Sequence, residues 1–135
     1  MTMSRPILLI LLIFLPVLSY ADADNGKTLL VFFRSDCAPC LRELEILPEI
    51  AKKHGNLTID IVSLDEEYRN YVPPAFPANV HKIVFGARES RIIKDAEGDR
   101  IAIPFSAFLK ADGSVCGTHA GILGTDQVTK WSKKC

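Results

Sequence analysis

The chain has 135 residues, its 16 lysines and arginines are balanced by 16 aspartates and glutamates, and 48% of its residues are hydrophobic. That length suits one ordinary domain with a single core and is too short for two domains behind a leader. The even charge balance argues against nucleic acid or an anionic membrane surface as a partner.

The first 21 residues have the pattern of a secretory signal peptide. Arg5 supplies a positive start, residues 7–18 are apolar, and small residues allow cleavage after Ala21 or Ala23. The apolar stretch is well short of the roughly 20 residues that a membrane-spanning helix needs. We therefore expect a soluble, exported domain over residues 22–135, in a periplasm or its equivalent, with an uncleaved N-terminal membrane anchor as the less favoured alternative.

The first two predicted elements are a buried strand and an amphipathic helix. Residues 28–33 form a continuous apolar run, which is typical of a strand buried on both faces in a parallel sheet. From Leu41 the apolar residues recur at helical spacing, and the charged residues, Glu43 among them, are assigned mostly to the other side. Pro48 lies inside this pattern and is expected to kink the helix without ending it. The helix is expected to end near Gly55, with that glycine in a left-handed cap.

The middle of the chain predicts a second strand and an insert. Residues 57–64 alternate as a strand does, and a crossover of this length predicts that it lies parallel to the first. Residues 68–77 are rich in aromatic residues and proline, which favours a short helix followed by an irregular connection. Residues 80–85 and 87–95 then suggest a short strand and a helix.

The last third of the chain predicts a β-hairpin and a closing helix. Strands at 105–110 and 114–120 flank a turn at 111–113, and a helix runs from 125 to about 133. The order β-α-β, an insert, and then β-β-α describes an α/β sandwich with a central mixed sheet flanked by helices.

A C-A-P-C motif at residues 37–40 lies where the first strand gives way to the first helix. A helix N-terminus exposes unpaired N–H groups and partial positive charge, which favour a thiolate over a thiol. Because the residue nearer the N-terminus is the more exposed, Cys37 is predicted to attack and Cys40, one turn later, to resolve. Arg34 favours the Cys37 thiolate by charge and Asp36 opposes it, so moderate activation is expected.

Two other interpretations of this pair are a static structural disulfide and a metal site. Two thiols alone are too few ligands for a metal ion, so a histidine would have to join them. His54 and His81 suit surface or packing positions, whereas His119 on the hairpin is the most credible ligand. A copper carrier therefore stays a rival hypothesis, and the favoured interpretation includes no metal.

Cys116 and Cys135 remain once the close pair is set aside. Exported proteins meet an oxidising environment in which structural thiols usually pair, so a bridge between these two is predicted. Closing that loop would contribute roughly 3 kcal/mol. The alternatives are that Cys116 is a small buried side chain and Cys135 a frayed terminal thiol, or that they form a second redox pair relaying electrons from Cys37 and Cys40.

These features together resemble the thioredoxin superfamily, and more narrowly its exported TlpA/ResA/DsbE-like branch. The matching positions are Phe32-Phe33 before the cysteine motif, Ile103-Pro104 at the family's cis-proline element, Gly113 in the hairpin and Gly121 before the last helix. The resemblance spans residues 29–131, which is nearly all of the domain, and implies a thioredoxin-like sandwich with a short central insert.

Three positions depart from the family pattern. Asp36 replaces an aromatic residue before the first cysteine, Glu45 replaces a helix proline, and Val31 stands where cytosolic thioredoxins have a buried acid. The exported branch shares the last departure and has an acid at the start of the insert instead. Asp65 is the best positional match for that acid, and Glu66 is the alternative.

The resemblance implies roles for these positions. Asp65, if buried behind Cys40, would take or give the proton as a mixed disulfide resolves; the plainer alternative is that it caps a helix. A cis peptide at Pro104 would set neighbouring backbone groups against the sulfurs, where they can pair with an extended substrate strand. The alternative is an ordinary trans turn. The predicted substrate-contacting residues are Ile103, Pro104, Ala38 and Pro39.

The sequence therefore predicts an exported thiol-disulfide oxidoreductase that reduces client disulfides through Cys37 and Cys40 and needs no cofactor beyond that pair. The implied partners are protein thiols and disulfides and a membrane electron donor, and a monomer is expected. The alternatives are a disulfide-donating oxidase with the same site, since direction depends on reduction potential, and a thioredoxin-fold module that binds copper or holds a client.

Overall fold

A computed structural model of the protein describes residues 24–65 and 75–135. Its elements, in chain order, are β1 (Thr28–Phe33), α1 (Ala38–Lys53), β2 (Thr58–Ser63), β3 (Val80–Val84), α2 (Ala87–Glu97), β4 (Phe105–Leu109), β5 (Val115–Ala120) and α3 (Thr125–Lys134). The strands form one sheet in the order β3-β2-β1-β4-β5. The first three strands are parallel, and the β1/β4 and β4/β5 pairs are antiparallel. The predicted α/β sandwich with a mixed sheet is confirmed.

Several expectations lie outside the described residues. They are the signal peptide and its cleavage site, the Glu66 alternative, and most of the connection predicted for residues 68–77. Within residues 24–65 and 75–135, no helix is both long and apolar enough to cross a bilayer.

β1 is the central strand of the sheet, and its last five side chains are fully buried. Successive side chains of a strand point to opposite faces. Leu29, Val31 and Phe33 therefore pack with α1 and α3 on one face. Leu30 and Phe32 pack with α2 on the other face. The continuous apolar run that predicted this strand is the consequence of a strand covered on both sides.

α1 begins at Ala38, three residues earlier than the apolar periodicity predicted. Pro39 stands in its first turn, where a missing N–H costs nothing and the fixed φ of proline already suits a helix. The helix then runs through Pro48 without interruption. Its start therefore includes the whole cysteine motif.

The end of α1 differs from the expectation. His54 is the C-cap, with φ −117°, and Gly55 does not have a positive φ, so the predicted left-handed glycine cap is wrong. The side-chain amide nitrogen of Asn79 instead lies 3.1, 3.2 and 2.9 Å from the carbonyl oxygens of Ala51, His54 and Leu57. The last carbonyl groups of a helix lack hydrogen-bond donors within the helix. Here the side-chain amide of Asn79, just before β3, is the donor.

A buried polar cluster fastens the chain near Asp24 to the ends of α1 and α3. One carboxylate oxygen of Asp24 lies 2.7 Å from His54 Nδ1, and the other accepts a hydrogen bond from the Ser132 hydroxyl. All three side chains are almost completely buried. His54 Nε2 lies 3.4 Å from the Thr129 hydroxyl oxygen. His54 thus has the packing role that was expected for it, with its polar atoms paired as burial requires.

α3 lies against the hairpin through a close approach of Trp131 to Gly117. The Trp131 ring stacks at a tilt on Phe108, with centroids 5.7 Å apart. A Cβ atom added at Gly117 would overlap the indole Nε1 and Cε2 atoms of Trp131. Cys116 and Cys135, whose Cα atoms are 6.1 Å apart, are joined in a disulfide that ties β5 to the end of α3.

We expect Gly117→Ala to lower the free energy of unfolding by roughly 1–3 kcal/mol, because the added methyl group has to displace the Trp131 ring from a well-packed interface. Gly55→Ala is the matched control, since a Cβ there meets nothing within 4 Å. Urea unfolding of both variants checks this expectation. Equal stabilities for the two would contradict the close approach.

Candidate redox site

The two motif cysteines lie at the carboxyl end of β1 and the start of α1, bonded to each other, with their Cα atoms 5.2 Å apart. Cys37 is the N-cap of α1, and its sulfur accepts a hydrogen bond from the backbone N–H of Cys40 at 3.2 Å. Cys37 is half-buried, whereas Cys40 is only 1% exposed. As predicted, the first sulfur is the accessible one.

The start of α1 provides the electrostatics that a thiolate needs. The N–H that bonds to the Cys37 sulfur is one of the unpaired donors of the first helical turn, and the helix dipole adds partial positive charge there. The first turn of α1 contains no acidic residue to oppose this field. Once the disulfide is reduced, the same donor favours the ionised form of Cys37.

Arg34 and Asp36 pair with each other in the loop between β1 and α1. The two guanidinium nitrogens that take part lie 2.9 and 3.0 Å from the two carboxylate oxygens. Their hydrogen bonds raise the pKa of Arg34 and lower the pKa of Asp36. Both residues line the cleft beside Cys37. Because the charges are paired, their net field at the Cys37 sulfur is small, which agrees with the expected partial cancellation.

Asp65 follows β2 and holds the same loop. One of its oxygens accepts hydrogen bonds from the backbone N–H and hydroxyl of Ser35, at 3.0 and 2.5 Å, and the other lies 3.1 Å from the Ser63 hydroxyl. Desolvation acts to raise the pKa of Asp65, but the bonds from Ser35 and Ser63 together outweigh it, and the pKa lies below its ordinary value. Asp65 therefore stays ionised at neutral pH. Its service as the proton carrier for Cys40 stays a prediction.

Glu43 is the deeply buried carboxyl near the motif, and it is 1% exposed. It lies three residues after Cys40 on α1, so the two side chains lie on the same face of the helix. One oxygen accepts the backbone N–H of Leu123 at 2.7 Å. The other has no hydrogen-bond partner in the part of the chain that the structure describes. Burial raises the pKa of Glu43 to about 7, and the bond from Leu123 only partly offsets this.

The assignment of Glu43 to the polar side of the helix is wrong. Its position, three residues after Cys40 and four before Leu47, borders the buried stripe on both sides. That spacing was the available sequence signal, because residues three and four apart lie on one helix face. The hydrogen-bond donor to Glu43 is the backbone N–H of Leu123, eighty residues away along the chain. No local sequence pattern indicates this contact.

We expect the stability of the oxidised protein to fall as pH rises from about 5 to 8. In the folded protein the pKa of Glu43 is about 7, against an ordinary 4.5. Between these two values the folded protein binds more protons than the unfolded chain, so raising the pH favours unfolding. The free energy of unfolding should fall by an amount on the order of 3 kcal/mol across this range. Glu43→Gln removes this contribution. Urea unfolding across the pH range measures the difference between the two proteins.

Asp65→Asn is the control for that measurement. The pKa of Asp65 is lower in the folded protein than in the unfolded chain. The ionised carboxylate therefore stabilises the fold fully at any pH above the unfolded pKa, which is near 4, and this stabilisation is lost only in more acidic solution. The pH dependence of Asp65→Asn between pH 5 and 8 should therefore match that of the wild type. An unchanged slope in Glu43→Gln would contradict the elevated pKa.

An open cleft of about 680 Å³ lies beside Cys37. The predicted contact residues that line it are Ala38, Pro39 and Ile103; Leu64, Phe85 and Ile101, which the sequence did not indicate, line it too. The Ile103–Pro104 peptide bond is cis. Pro104 itself is buried, and its carbonyl oxygen accepts the N–H of Gly121 at 2.8 Å. The site thus combines a half-buried cysteine with a cleft lined by apolar side chains and by the Arg34–Asp36 pair.

The three histidines lie in different settings. His54 belongs to the buried cluster with Asp24, His81 is exposed on β3, and His119 Nε2 lies 3.2 Å from the carbonyl oxygen of Ile122. Within residues 24–65 and 75–135, no three or more histidine, cysteine, aspartate or glutamate side chains are grouped as metal ligands would be.

No protein-family model matches the chain, but many solved structures share its architecture. The exposed lipoprotein thioredoxin Etrx1 of Streptococcus pneumoniae superposes with a TM-score of 0.62 at 23% identity, over 84% of this chain and 88% of that one. The chain has the thioredoxin fold. StoA from Bacillus subtilis matches this fold with a TM-score of 0.55 at 23% identity, over 80% and 84% of the two chains.

A further thioredoxin-fold match is the thiol:disulfide interchange protein of Chlorobium tepidum. Its TM-score is 0.58 at 17% identity, over 84% of this chain and 82% of that one. The predicted thioredoxin-like architecture is thereby confirmed. At such identities the likeness concerns the fold, which by itself does not imply a function.

Proposed function

We propose that the protein is a thiol-disulfide oxidoreductase that acts on extracytoplasmic client proteins through Cys37 and Cys40. One observation carries the proposal. The half-buried Cys37 at the N-cap of α1 is bonded to the buried Cys40 one turn later, and Cys37 lines an open cleft. A purely structural bridge has no use for a helix N-terminus or for an adjoining cleft.

In the reducing direction, the Cys37 thiolate attacks one sulfur of a client disulfide. A mixed disulfide forms, and the other client sulfur leaves as a thiolate. Cys40 then loses its proton and attacks the Cys37 sulfur, which releases the second client thiolate and closes the Cys37–Cys40 bond. Two electrons pass from the dithiol to the client, whose two sulfurs take up protons. The helix N-terminus stabilises the Cys37 thiolate before it attacks the client disulfide.

Glu43 is the group best suited to accept the proton of Cys40. A general base works best when its pKa is close to the working pH, and burial places the pKa of Glu43 at about 7. Its second oxygen is unpaired among the described residues, and the first is held by Leu123. In this proposal Asp65 keeps the loop before Cys37 in place through Ser35.

Export and the reducing direction belong to the same proposal. The leader pattern and a second disulfide between Cys116 and Cys135 both suit an oxidising compartment. One solved structure of this fold is described as an exposed lipoprotein, and another as a thiol:disulfide interchange protein. A reductant in such a compartment needs electrons from elsewhere, and a membrane electron donor would supply them.

Cys40→Ser should accumulate mixed disulfides with clients, because the variant can still attack through Cys37 but cannot resolve. Non-reducing electrophoresis of protein recovered from its native compartment, with free thiols blocked at once, measures this. The control is the double variant Cys116→Ser/Cys135→Ser, in which the motif is intact and no accumulation is expected. A Cys40→Ser protein free of client adducts would refute the exchange reaction.

The direction of exchange is set by the reduction potential of the Cys37/Cys40 couple. A value near −270 mV, about that of thioredoxin, is expected for a reductant. Equilibration with glutathione buffers, followed by alkylation and mass analysis of the motif peptide, gives the potential. A value near −120 mV, about that of DsbA, would assign the protein the opposite role of disulfide donor.

A further inference from the structure

A second, smaller depression adjoins the cleft beside Cys37. It has a volume of about 200 Å³ and extends along the C-terminal half of α2. Ile93, which is only 3% exposed, lies at its base. Phe85 and Ile101 line both this depression and the larger cleft. The two depressions are therefore one continuous surface that begins at the Cys37 sulfur and ends over α2.

The side chains at the junction are unusually exposed for their size. Phe85 is 37% exposed and Ile101 48% exposed, although both are large and apolar. Together with Val84, which precedes Phe85 and is 83% exposed, they make up three of the five large apolar side chains exposed in the described ranges. Phe85 and Ile101 line the cleft beside Cys37, and exposed apolar side chains at a cleft mark a surface that another molecule covers.

We infer that Phe85 and Ile101, with Ile93 beneath them, form an apolar subsite for one side chain of an extended client polypeptide whose disulfide lies at Cys37. This inference rests on the proposed function and adds the feature by which a client is chosen. A client cysteine that reaches the Cys37 sulfur brings its flanking residues along the continuous surface. A large apolar side chain a few residues from that cysteine then covers Phe85 and Ile101.

The dimensions favour one side chain of a longer chain over a separate small molecule. Pockets that hold small ligands have volumes of about 300–1,000 Å³. The outer depression, at about 200 Å³, is below this range, while the cleft of about 680 Å³ beside Cys37 lies within it. A ligand that spans both must be elongated, and a polypeptide in extended conformation has that form.

The charged side chains that line the two depressions occur in pairs of opposite sign. Lys94 and Asp99 line the outer depression, and Arg34 and Asp36 are paired at the inner end. The surface therefore has no strong preference for an acidic or a basic segment. Selection along it depends on apolar burial.

A peptide scan tests the inference without a known client. Short synthetic peptides, each closed by one intramolecular disulfide, present a single Phe that is moved position by position through a Gly/Ser background on both sides of the disulfide. The reduced protein is mixed with each peptide, and rapid quenching gives the rate at increasing peptide concentration. We expect one Phe position to raise the second-order rate constant of this single-turnover reaction about ten-fold through tighter peptide binding, as burial of a large apolar side chain provides.

Phe85→Ser and Ile101→Ser should each bring that preference close to one, so that the Phe peptide and its Ser counterpart react alike. Val115→Ser is the matched control, because Val115 is 43% exposed but lies opposite Leu109, at the end of the hairpin away from Pro104. This variant should keep the full preference. Thermal unfolding of all three verifies that they are folded.

Two results would overturn the inference. One is that no Phe position is favoured, and the other is that the preference survives in both Phe85→Ser and Ile101→Ser. The reaction of the reduced wild type with 5,5′-dithiobis(2-nitrobenzoate), a small aromatic disulfide, separates these from a failure of the proposed function. A protein that is unreactive toward this reagent and toward every peptide has no exchange activity, and both proposals fall together.

Discussion

The burial of β1 on both faces is the constraint that fixes the redox site. Because this central strand packs against α1 and α3 on one side and α2 on the other, the point where it ends is set by the whole core. The chain then has only four residues, from Arg34 to the N-cap Cys37, in which to turn into α1. Asp65, from the end of the neighbouring strand, pins that turn through Ser35. The packing of the sheet thus fixes the position of Cys37.

Two carboxyl groups near the motif have pKa values shifted in opposite directions by their surroundings. Asp65 is surrounded by hydroxyl and N–H donors, which keep it charged. Glu43 is enclosed by the apolar core with a single donor, and its neutral form is favoured up to about pH 7. When titratable groups have their pKa values pushed apart in this way, the less acidic one suits proton transfer and the other suits electrostatic positioning. The family resemblance had instead implied proton transfer by Asp65, and the helical pattern had assigned Glu43 to the polar side of α1.

Local patterns predicted most of the fold, because the strands, the hairpin and the helices of this chain follow regular periodicities. The run ending at Phe33 predicted the central strand, and the cysteine spacing predicted which sulfur is exposed. The misses involve contacts between distant residues. Asn79 caps a helix that ended 26 residues before it, and the N–H that bonds to Glu43 belongs to Leu123, eighty residues further along the chain. Phe85 and Ile101 look like ordinary apolar residues until the fold sets them side by side.

The anchoring of Asp24 determines how the domain faces whatever is attached ahead of it. Asp24 contacts His54, at the end of α1, whereas Cys37 lies at the beginning of that helix. The helix has 16 residues and so is about 24 Å long. A surface, bead or fusion partner linked in front of Asp24 is therefore attached near the end of α1 that lies opposite Cys37, and the half-buried Cys37 stays free to meet a partner in solution.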